Sequence, residues 1–203
     1  MLTIWGRANS HNVKKLLWLV DELGVDHVRH DVGGQFGMDA GYLTKNPNAL
    51  IPTIEEDGLT LWESNACLRY IAARHGGEAW WPADPAVRAF GDKWMDWQFA
   101  FADAQRTAFK GLVRTPEAER DTAAIAASAA EAGALMRILD DALAVDPWLS
   151  GNRIGIGDMP MGTYAHTWFT LPIDRPERSH VRAWYDRLLE RPAYARHVAV
   201  PLT

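Results

Sequence analysis

Two polar residues, Glu63 and Ser64, stand where an apolar strand pattern changes to a helical one. Ser64 is placed to act as a helix N-cap, since its hydroxyl can accept a hydrogen bond from a free amide of the first turn. The start of a helix also offers unpaired N–H groups and the positive end of the helix dipole, which attract anions. With the acid Glu63 beside it, this site is suited to bind a carboxylate and an ammonium group together. These are the two charges of an amino-acid zwitterion.

A β-hairpin is predicted to position this pair. Its first strand is entered through Ile51-Pro52, and Asp57-Gly58 separates it from the second strand, Leu59 to Trp62. Asp-Gly between two apolar runs favours a type I′ turn, because both central residues of that turn need a positive φ. The helix that follows Ser64 is expected to end near His75.

The part of the chain before the hairpin alternates strand and helix patterns. Gly24 is placed to end the first helix, and the glycine-rich segment Gly33 to Gly37 is predicted to be a loop. Strands that alternate with helices imply a mixed α/β sheet covered on both faces, here in a thioredoxin-like order. The predicted elements are a strand at Leu2–Trp5, a loop at Gly6–Asn12, a helix from Val13 to Leu23, a strand at Val28–Val32 and a helix at Asp39–Thr44.

After a proline-rich segment, Trp80 to Pro85, the pattern becomes entirely helical. We therefore predict two domains: a thioredoxin-like α/β domain at residues 1–78 and an all-α bundle domain at residues 86–203, with a linker at 79–85. The predicted helices of the second domain are Pro85–Val113, Pro116–Leu143, Asp158–Trp168, His180–Glu190 and Pro192–Val198.

Composition excludes several classes of function. The net charge of −5 gives no basic footprint for nucleic acid, so an anionic ligand must be held by local donors. No apolar run approaches the roughly 20 residues needed to span a bilayer, and the N-terminus has no signal-peptide pattern. The single cysteine, Cys67, excludes an internal disulfide and fits a reducing compartment. A cytoplasmic protein that does not bind membranes is expected.

The Ile51-Pro52 pair, the hairpin and the Glu63-Ser64 helix start resemble a cytosolic glutathione S-transferase of the bacterial, theta- and beta-like branches. The resemblance covers essentially all 203 residues. It implies a homodimer in which the first domain holds glutathione as co-substrate. The thiolate would then attack an electrophilic carbon or a peroxide that is bound against the second domain.

The resemblance also implies contacts with glutathione. A cis Ile51-Pro52 bond would present the Ile51 amide and carbonyl to the cysteinyl part, like one added strand; the alternative is a trans proline at a strand edge. Glu63 and Ser64 would hold the γ-glutamyl end, unless they are only a surface acid and a plain cap.

Two further contacts with glutathione are less direct. Many relatives carry a lysine for the glycyl carboxylate where this chain has Leu50, so that contact is missing here or comes from Gln35 or Lys45. Asp103 is a candidate to reach the γ-glutamyl amine bound to the partner of the homodimer.

Activation of the thiol is assigned to the first loop. A free cysteine thiol has a pKa of about 8.5, and a hydrogen-bond donor at sulfur together with a helix N-terminus favours the thiolate. Beta-like relatives carry a cysteine, and theta-like ones a serine, at the position of Arg7. We therefore favour Asn9 and Ser10 as the hydrogen-bond donors to sulfur, with Arg7 and Asn12 as less favoured candidates. The alternative is that Asn9 or Ser10 only caps the helix.

Several aromatic side chains of the second domain are candidates for the wall of the electrophile site, although aromatics at helical spacing are more often core. They are Trp94, Trp97, Phe101, Phe109 and Trp168.

Other reactive residue types are expected to be structural. Cys67 shares a helix face with Ile71 and is interpreted as a core residue. The seven histidines show no metal-binding spacing, so no metal is expected. Asp158 belongs to a buried capping box in the family, but Gly155 replaces the usual hydroxyl residue, which removes half of the reciprocal bond.

The residues leave two rival functions open. One is a glutathione-dependent disulfide reductase or peroxidase, since an asparagine or serine site can support either reaction. The other is a glutathione-binding scaffold protein without catalysis, for which saturable glutathione binding without turnover would be the evidence.

Overall fold

The computed structural model describes all 203 residues. Its sheet has four strands in the order β2-β1-β3-β4: β1 (Leu2–Trp5), β2 (His27–His30), β3 (Thr53–Glu56) and β4 (Leu59–Trp62). β1 pairs in parallel with β2 and antiparallel with β3, and β3 pairs antiparallel with β4. The turn between β3 and β4 has φ values of 49° at Asp57 and 85° at Gly58, so the predicted turn residues adopt the positive φ that was expected of them.

Nine α-helices complete the chain. Three lie in the thioredoxin-like part, which is followed by a one-turn helix, and the last five form an all-helical part. They are α1 (His11–Glu22), α2 (Ala40–Lys45), α3 (Ser64–His75), α4 (Gly77–Trp80), α5 (Pro85–Phe109), α6 (Thr122–Leu143), α7 (Asp158–Thr170), α8 (Ser179–Leu189) and α9 (Pro192–His197).

Helix α1 connects the two parts of the molecule. It packs beside α3 and also contacts α7 and α9 of the helical part. For this reason its residues are buried without interruption from Val13 to Val20, although an amphipathic helix on a surface would bury only one stripe. The loop that precedes α1 is thereby held at the boundary between the two parts.

Glycine at position 6 is required for the loop before α1 to follow its path. Gly6 has a φ of +152°, and a Cβ there would lie only 2.5 Å from Val13 Cγ2. The same Cβ would be 3.3 Å from Ile51 Cβ, so the loop and the Ile51-Pro52 segment lie directly against each other.

At the start of α7, Ser150 supplies the hydroxyl that the family's capping box has at the position of Gly155. Asp158 is fully buried and accepts hydrogen bonds from Leu149 N at 2.9 Å, Gly155 N at 3.0 Å and Trp184 Nε1 at 2.9 Å. Ser150 Oγ accepts from Gly157 N at 3.0 Å. A Cβ at Gly155 would come within 2.8 Å of Ser150, so glycine is needed because Ser150 occupies that space.

Some predicted boundaries were wrong. Ser64 does not cap α3: Glu63 is the N-cap, and Ser64 is the first helical residue. The long helix ends at Phe109 and continues as a π-helical turn at Lys110–Arg114, and α6 begins at Thr122 with Asp121 as its N-cap. The domain bounds 1–78 and 86–203 stay a prediction; α4 lies across the first of them.

Helix α6 is the one element that is long and apolar enough to cross a membrane, by length and composition only. The core helix of a soluble protein satisfies the same criteria. Here α6 packs against α5 and α8 and buries Ala132, Met136 and Leu139 completely.

Candidate active site

The Glu63-Ser64 pair forms one end of the candidate site. Glu63 is exposed and has a φ of 70°, and its carbonyl accepts from Cys67 N at 2.9 Å. Ser64 is only 5% exposed and its hydroxyl makes no capping bond. Because the first amides of a helix have no partner within the helix, this turn offers backbone donors beside the Ser64 hydroxyl.

The Ile51-Pro52 bond is cis. Ile51 lies just before β3, and its amide and carbonyl make no turn or loop hydrogen bond. Its side chain packs toward Gly6 and Gly33. The Ile51 backbone therefore lies near both the first loop and the glycine-rich loop, with hydrogen-bonding groups that a ligand can use.

The two favoured sulfur donors of the first loop differ in the hydrogen bonds that their side chains already make. Asn9 uses both ends of its amide: its Oδ1 accepts from Arg7 Nη1 at 2.6 Å, and its Nδ2 donates to Thr203 Oγ1 at 2.6 Å. Ser10 is the N-cap residue of α1 but makes no side-chain capping bond. The Ser10 hydroxyl is therefore available at the N-terminus of α1 and lines the cleft described next, whereas the Asn9 amide is held by Arg7 and Thr203 and does not line that cleft.

A polar cleft of about 210 Å³ lies between this loop and the helical part. Its walls come from the start of α1, the end of α5, the π-helical turn and α7. The lining residues are Arg7, Ser10, His11, Asn12, Ala102, Gln105, Arg106, Phe109, Lys110, Arg114 and Tyr164.

His11 is a cleft residue that the sequence interpretation missed. Its ring stacks on Tyr164 at a centroid distance of 4.9 Å and meets Phe109 edge-on at 5.0 Å. Nε2 lies 2.7 Å from Thr167 Oγ1. Burial and the charges of Lys14 and Arg114 lower the pKa of His11 to about 3. His11 is therefore neutral near pH 7, and it joins α1 to α7 without adding charge.

Of the aromatic residues predicted to receive the electrophile, only Phe109 lines the cleft. The other four do not line this cleft: Trp94, Phe101 and Trp168 are buried and Trp97 is half-buried, and their part in an electrophile site stays a prediction. Phe101 and Trp168 are 0% and 1% exposed and contact each other at 6.3 Å between ring centroids. Trp94 and Trp97 pair at 5.4 Å. The apolar surface of the cleft comes from Phe109, Tyr164 and Ala102 instead.

The residues considered for the glycyl end lie outside this cleft. Leu50 is 59% exposed, and Gln35 is exposed on the short turn Gly34–Phe36. Lys45 Nζ is 2.7 Å from Glu55 Oε1, so its charge is already paired. Asp103 is exposed and forms an ion pair with Arg106 on the same helix.

A buried lysine joins the Ser64 turn to the helical part, and no pattern in the sequence predicted it. Lys15 is 0% exposed and donates to Asn65 Oδ1 at 2.7 Å and Gln98 Oε1 at 3.2 Å. Asn65 also donates to Met95 O at 2.5 Å. Burial lowers the pKa of Lys15 to about 7, although Cys67 and Glu63 act in the opposite direction. This network fixes the start of α3 against α1 and α5.

Cys67 is a core residue, as expected. It is 0% exposed, and burial raises the pKa of its thiol to about 12. A thiol that stays protonated in the interior is neither a nucleophile nor a metal ligand near pH 7.

The thioredoxin-like sheet, the all-helical part and the cleft between them define the class of protein, because this is the architecture of the glutathione S-transferases. A solved theta class glutathione S-transferase from Xanthomonas axonopodis pv. citri, with glutathione bound, matches with a TM-score of 0.95 and 50% identity. The match covers 100% of this chain and 99% of that one.

Sequence comparisons agree. A family model described as glutathione S-transferase, N-terminal domain, matches residues 9–74. The glutathione S-transferase GstB of Escherichia coli strain K12 is 42% identical over 208 residues, with 100% of each chain covered. The disulfide-bond oxidoreductase YfcG of the same strain is 28% identical over 200 residues, covering 92% of this chain and 89% of that one. The chain belongs to the glutathione S-transferase family, and its activity is that of a glutathione transferase.

Proposed function

We propose that the protein binds glutathione along Ile51 and the Ser64 turn and activates its thiol with the hydroxyl of Ser10. The thiolate attacks a small electrophile held in the polar cleft. The observation that carries this proposal is the position of Ser10, which lines the cleft at the N-terminus of α1 and leaves its hydroxyl without a capping role. A hydrogen bond to sulfur and the positive end of the helix both stabilise a thiolate. The proposed setting is the cytoplasm, and the proposed role is detoxification of electrophiles.

Binding and turnover can be tested together. Calorimetric titration with glutathione measures binding, and a conjugation assay over a panel of electrophiles measures turnover. Saturable binding with glutathione-dependent conjugation supports the proposal. Binding without turnover would instead indicate a scaffold protein. The name of the relative YfcG makes disulfide reduction the second candidate, so a disulfide substrate belongs in the same panel.

Replacing Ser64 with Ala is expected to weaken glutathione binding about tenfold, because one charge-assisted hydrogen bond is lost while the backbone donors of the turn remain. The residue is 5% exposed, so the missing hydroxyl is not simply replaced by bulk water. Calorimetry on the variant gives the affinity, with the exposed Thr122→Ala as a matched control. Equal affinities for Ser64→Ala and the wild type would show that the γ-glutamyl group lies elsewhere.

A homodimer is part of the proposal. Large apolar side chains lie exposed on β4 and on α5, with Trp62 at 38%, Phe90 at 40% and Phe99 at 49%. Burial of such residues is a usual driving force for association. Asp103, exposed on α5, is proposed to reach the partner's glutathione. We expect twice the chain mass of 22.7 kDa in sedimentation at micromolar concentration; a single-chain mass would count against the dimer.

A further inference from the structure

Four cationic side chains line the cleft, and no acidic side chain does. They are Arg7, Arg106, Lys110 and Arg114. The chain as a whole carries a net charge of −5, so this concentration of positive charge is local and opposes the overall balance. A cleft lined by one sign of charge raises the local concentration of ions of the opposite sign.

Side-chain carboxylates neutralise little of this positive charge. Of the four cations, only Arg106 forms an ion pair with a side-chain carboxylate, that of exposed Asp103. Arg114 donates to Thr203 O at 3.2 Å and lies over the Phe109 ring at 4.9 Å, and Arg7 donates to the neutral side chain of Asn9. Burial and the nearby positive charge of Arg114 lower the pKa of Arg7.

Gln105 provides an independent indication that a ligand group is bound here. It lies on α5 and lines the cleft, and it is only 2% exposed, yet its Nε2 has no hydrogen-bond partner. A buried amide donor without a partner is costly, and such groups are normally satisfied. An acceptor oxygen of a bound molecule would satisfy it.

Glutathione itself does not account for these donors. Its proposed contacts, Ile51, Glu63 and Ser64, are absent from the lining of this cleft. The cationic wall is formed instead by the end of α5 and the π-helical turn. It therefore lies on the side proposed for the second substrate.

The geometry points to an electrophile that carries a carboxylate as the substrate class of this cleft. Lys110, Arg114 and Arg106 bind the carboxylate, and Gln105 donates a hydrogen bond to it. Phe109 and Tyr164 cover the apolar part of the molecule, and Ser10 lies on the side of the glutathione sulfur. This inference rests on the proposed function and names its second substrate.

With a chloroarene as the electrophile, the step balances as a substitution. The glutathione thiolate attacks the ring carbon that bears chlorine, a C–S bond forms, and the C–Cl bond breaks as chloride leaves with the electron pair. The thiol proton is released to solvent. The carboxylate is unchanged, so it acts only in binding and orientation.

The test uses two isosteric substrates, 4-chloro-3-nitrobenzoate and 4-chloro-3-nitrobenzamide, with the full-length protein. The quantity measured is the ratio of kcat/KM for the benzoate to kcat/KM for the benzamide, in which general effects on glutathione or on folding cancel. We expect this ratio to fall at least about tenfold in a Lys110→Gln, Arg114→Gln double variant, since charge-assisted hydrogen bonds are lost. The matched control is Arg137→Gln, an exposed arginine of α6 paired with Asp141 outside the cleft.

An unchanged ratio in the double variant, or an equal fall in the control, would overturn the inference. Raising the salt concentration to 1 M is expected to lower the wild-type ratio, because the screening length falls to about 3 Å.

If neither substrate is turned over, the inference is tested by the binding of the two S-aryl glutathione conjugates that the reactions would form. Calorimetry is expected to show that the double variant loses affinity for the carboxylate conjugate at least about tenfold more than for the carboxamide conjugate. Equal losses would overturn the inference even if plain glutathione binds. Failure of glutathione and both conjugates to bind would instead refute the proposed function itself.

Discussion

Replacing Asp158 with Ala is expected to lower the free energy of unfolding by about 3–5 kcal/mol. The carboxylate is fully buried and accepts from two backbone amides and from the indole of Trp184. All three donors would remain buried without a partner, and each such loss costs about 1–3 kcal/mol. Urea denaturation monitored by tryptophan fluorescence measures the change.

The control for this stability prediction is Asp141→Ala. Asp141 is an exposed carboxylate of α6 whose ion pair with Arg137 is worth at most about 1 kcal/mol. Trp184→Phe removes only one of the three donors and is expected to be less destabilising than Asp158→Ala. A variant at Asp158 as stable as the Asp141 variant would mean that neighbouring groups or water satisfy the three donors.

Local sequence rules predicted the elements, because each of those rules acts within a few residues. The Asp57-Gly58 turn, the helix ending at His75 and the change to an all-helical pattern after Pro85 all depend on short-range backbone preferences and apolar spacing. The predicted helix boundaries that were wrong are those where neighbouring residues compete for the same capping position. Glu63 takes the N-cap position that Ser64 was expected to hold, with a backbone φ of 70° that the sequence does not reveal.

The site was predicted less well, because its residues are brought together by contacts between distant segments. Phe101 and Phe109 have the same residue type and lie on the same helix, yet one is in the core and the other in the cleft. Lys15 follows another lysine in a helix that looked amphipathic, and its complete burial depends on helices more than 40 residues away in the chain. The packing of α7 and α9 against α1 determines which of these side chains are buried and which line the cleft, and spacing along the sequence does not reveal that packing.

The cluster of cations in the cleft could likewise not be located from the sequence. The net charge of −5 implies that an anion must be held by local donors, but it does not show where such donors lie. Arg7 is separated in sequence from Lys110 and Arg114 by more than half of the chain, and only the fold places them around one cavity. A π-helical turn at residues 110–114 contributes two of these cations, and no local pattern distinguished it from the helix before it.

Replacing Ser10 with Ala is expected to slow conjugation roughly ten- to a hundredfold at neutral pH. One hydrogen bond to a charged sulfur is worth about 1.5–3 kcal/mol, which corresponds to a rise of roughly one to two units in the pKa of bound glutathione. The thiolate is the reactive form, so the loss of rate must shrink as the pH rises and the thiol ionises without help. The pH dependence of the rate at saturating glutathione measures this shift directly.

Variants of the neighbouring loop residues separate the donor from its surroundings. Ser10→Thr keeps a hydroxyl and is expected to restore most of the rate. Asn9→Ala is expected to leave the pH profile nearly unchanged, because the Asn9 amide is held by Arg7 and Thr203 and does not line the cleft. If Arg7→Ala alone moves the profile, and added salt reproduces part of that effect, the thiolate is stabilised by charge. The Ser10 hydroxyl would then be only a neighbour of the sulfur, and the assignment of Ser10 as the donor would be wrong.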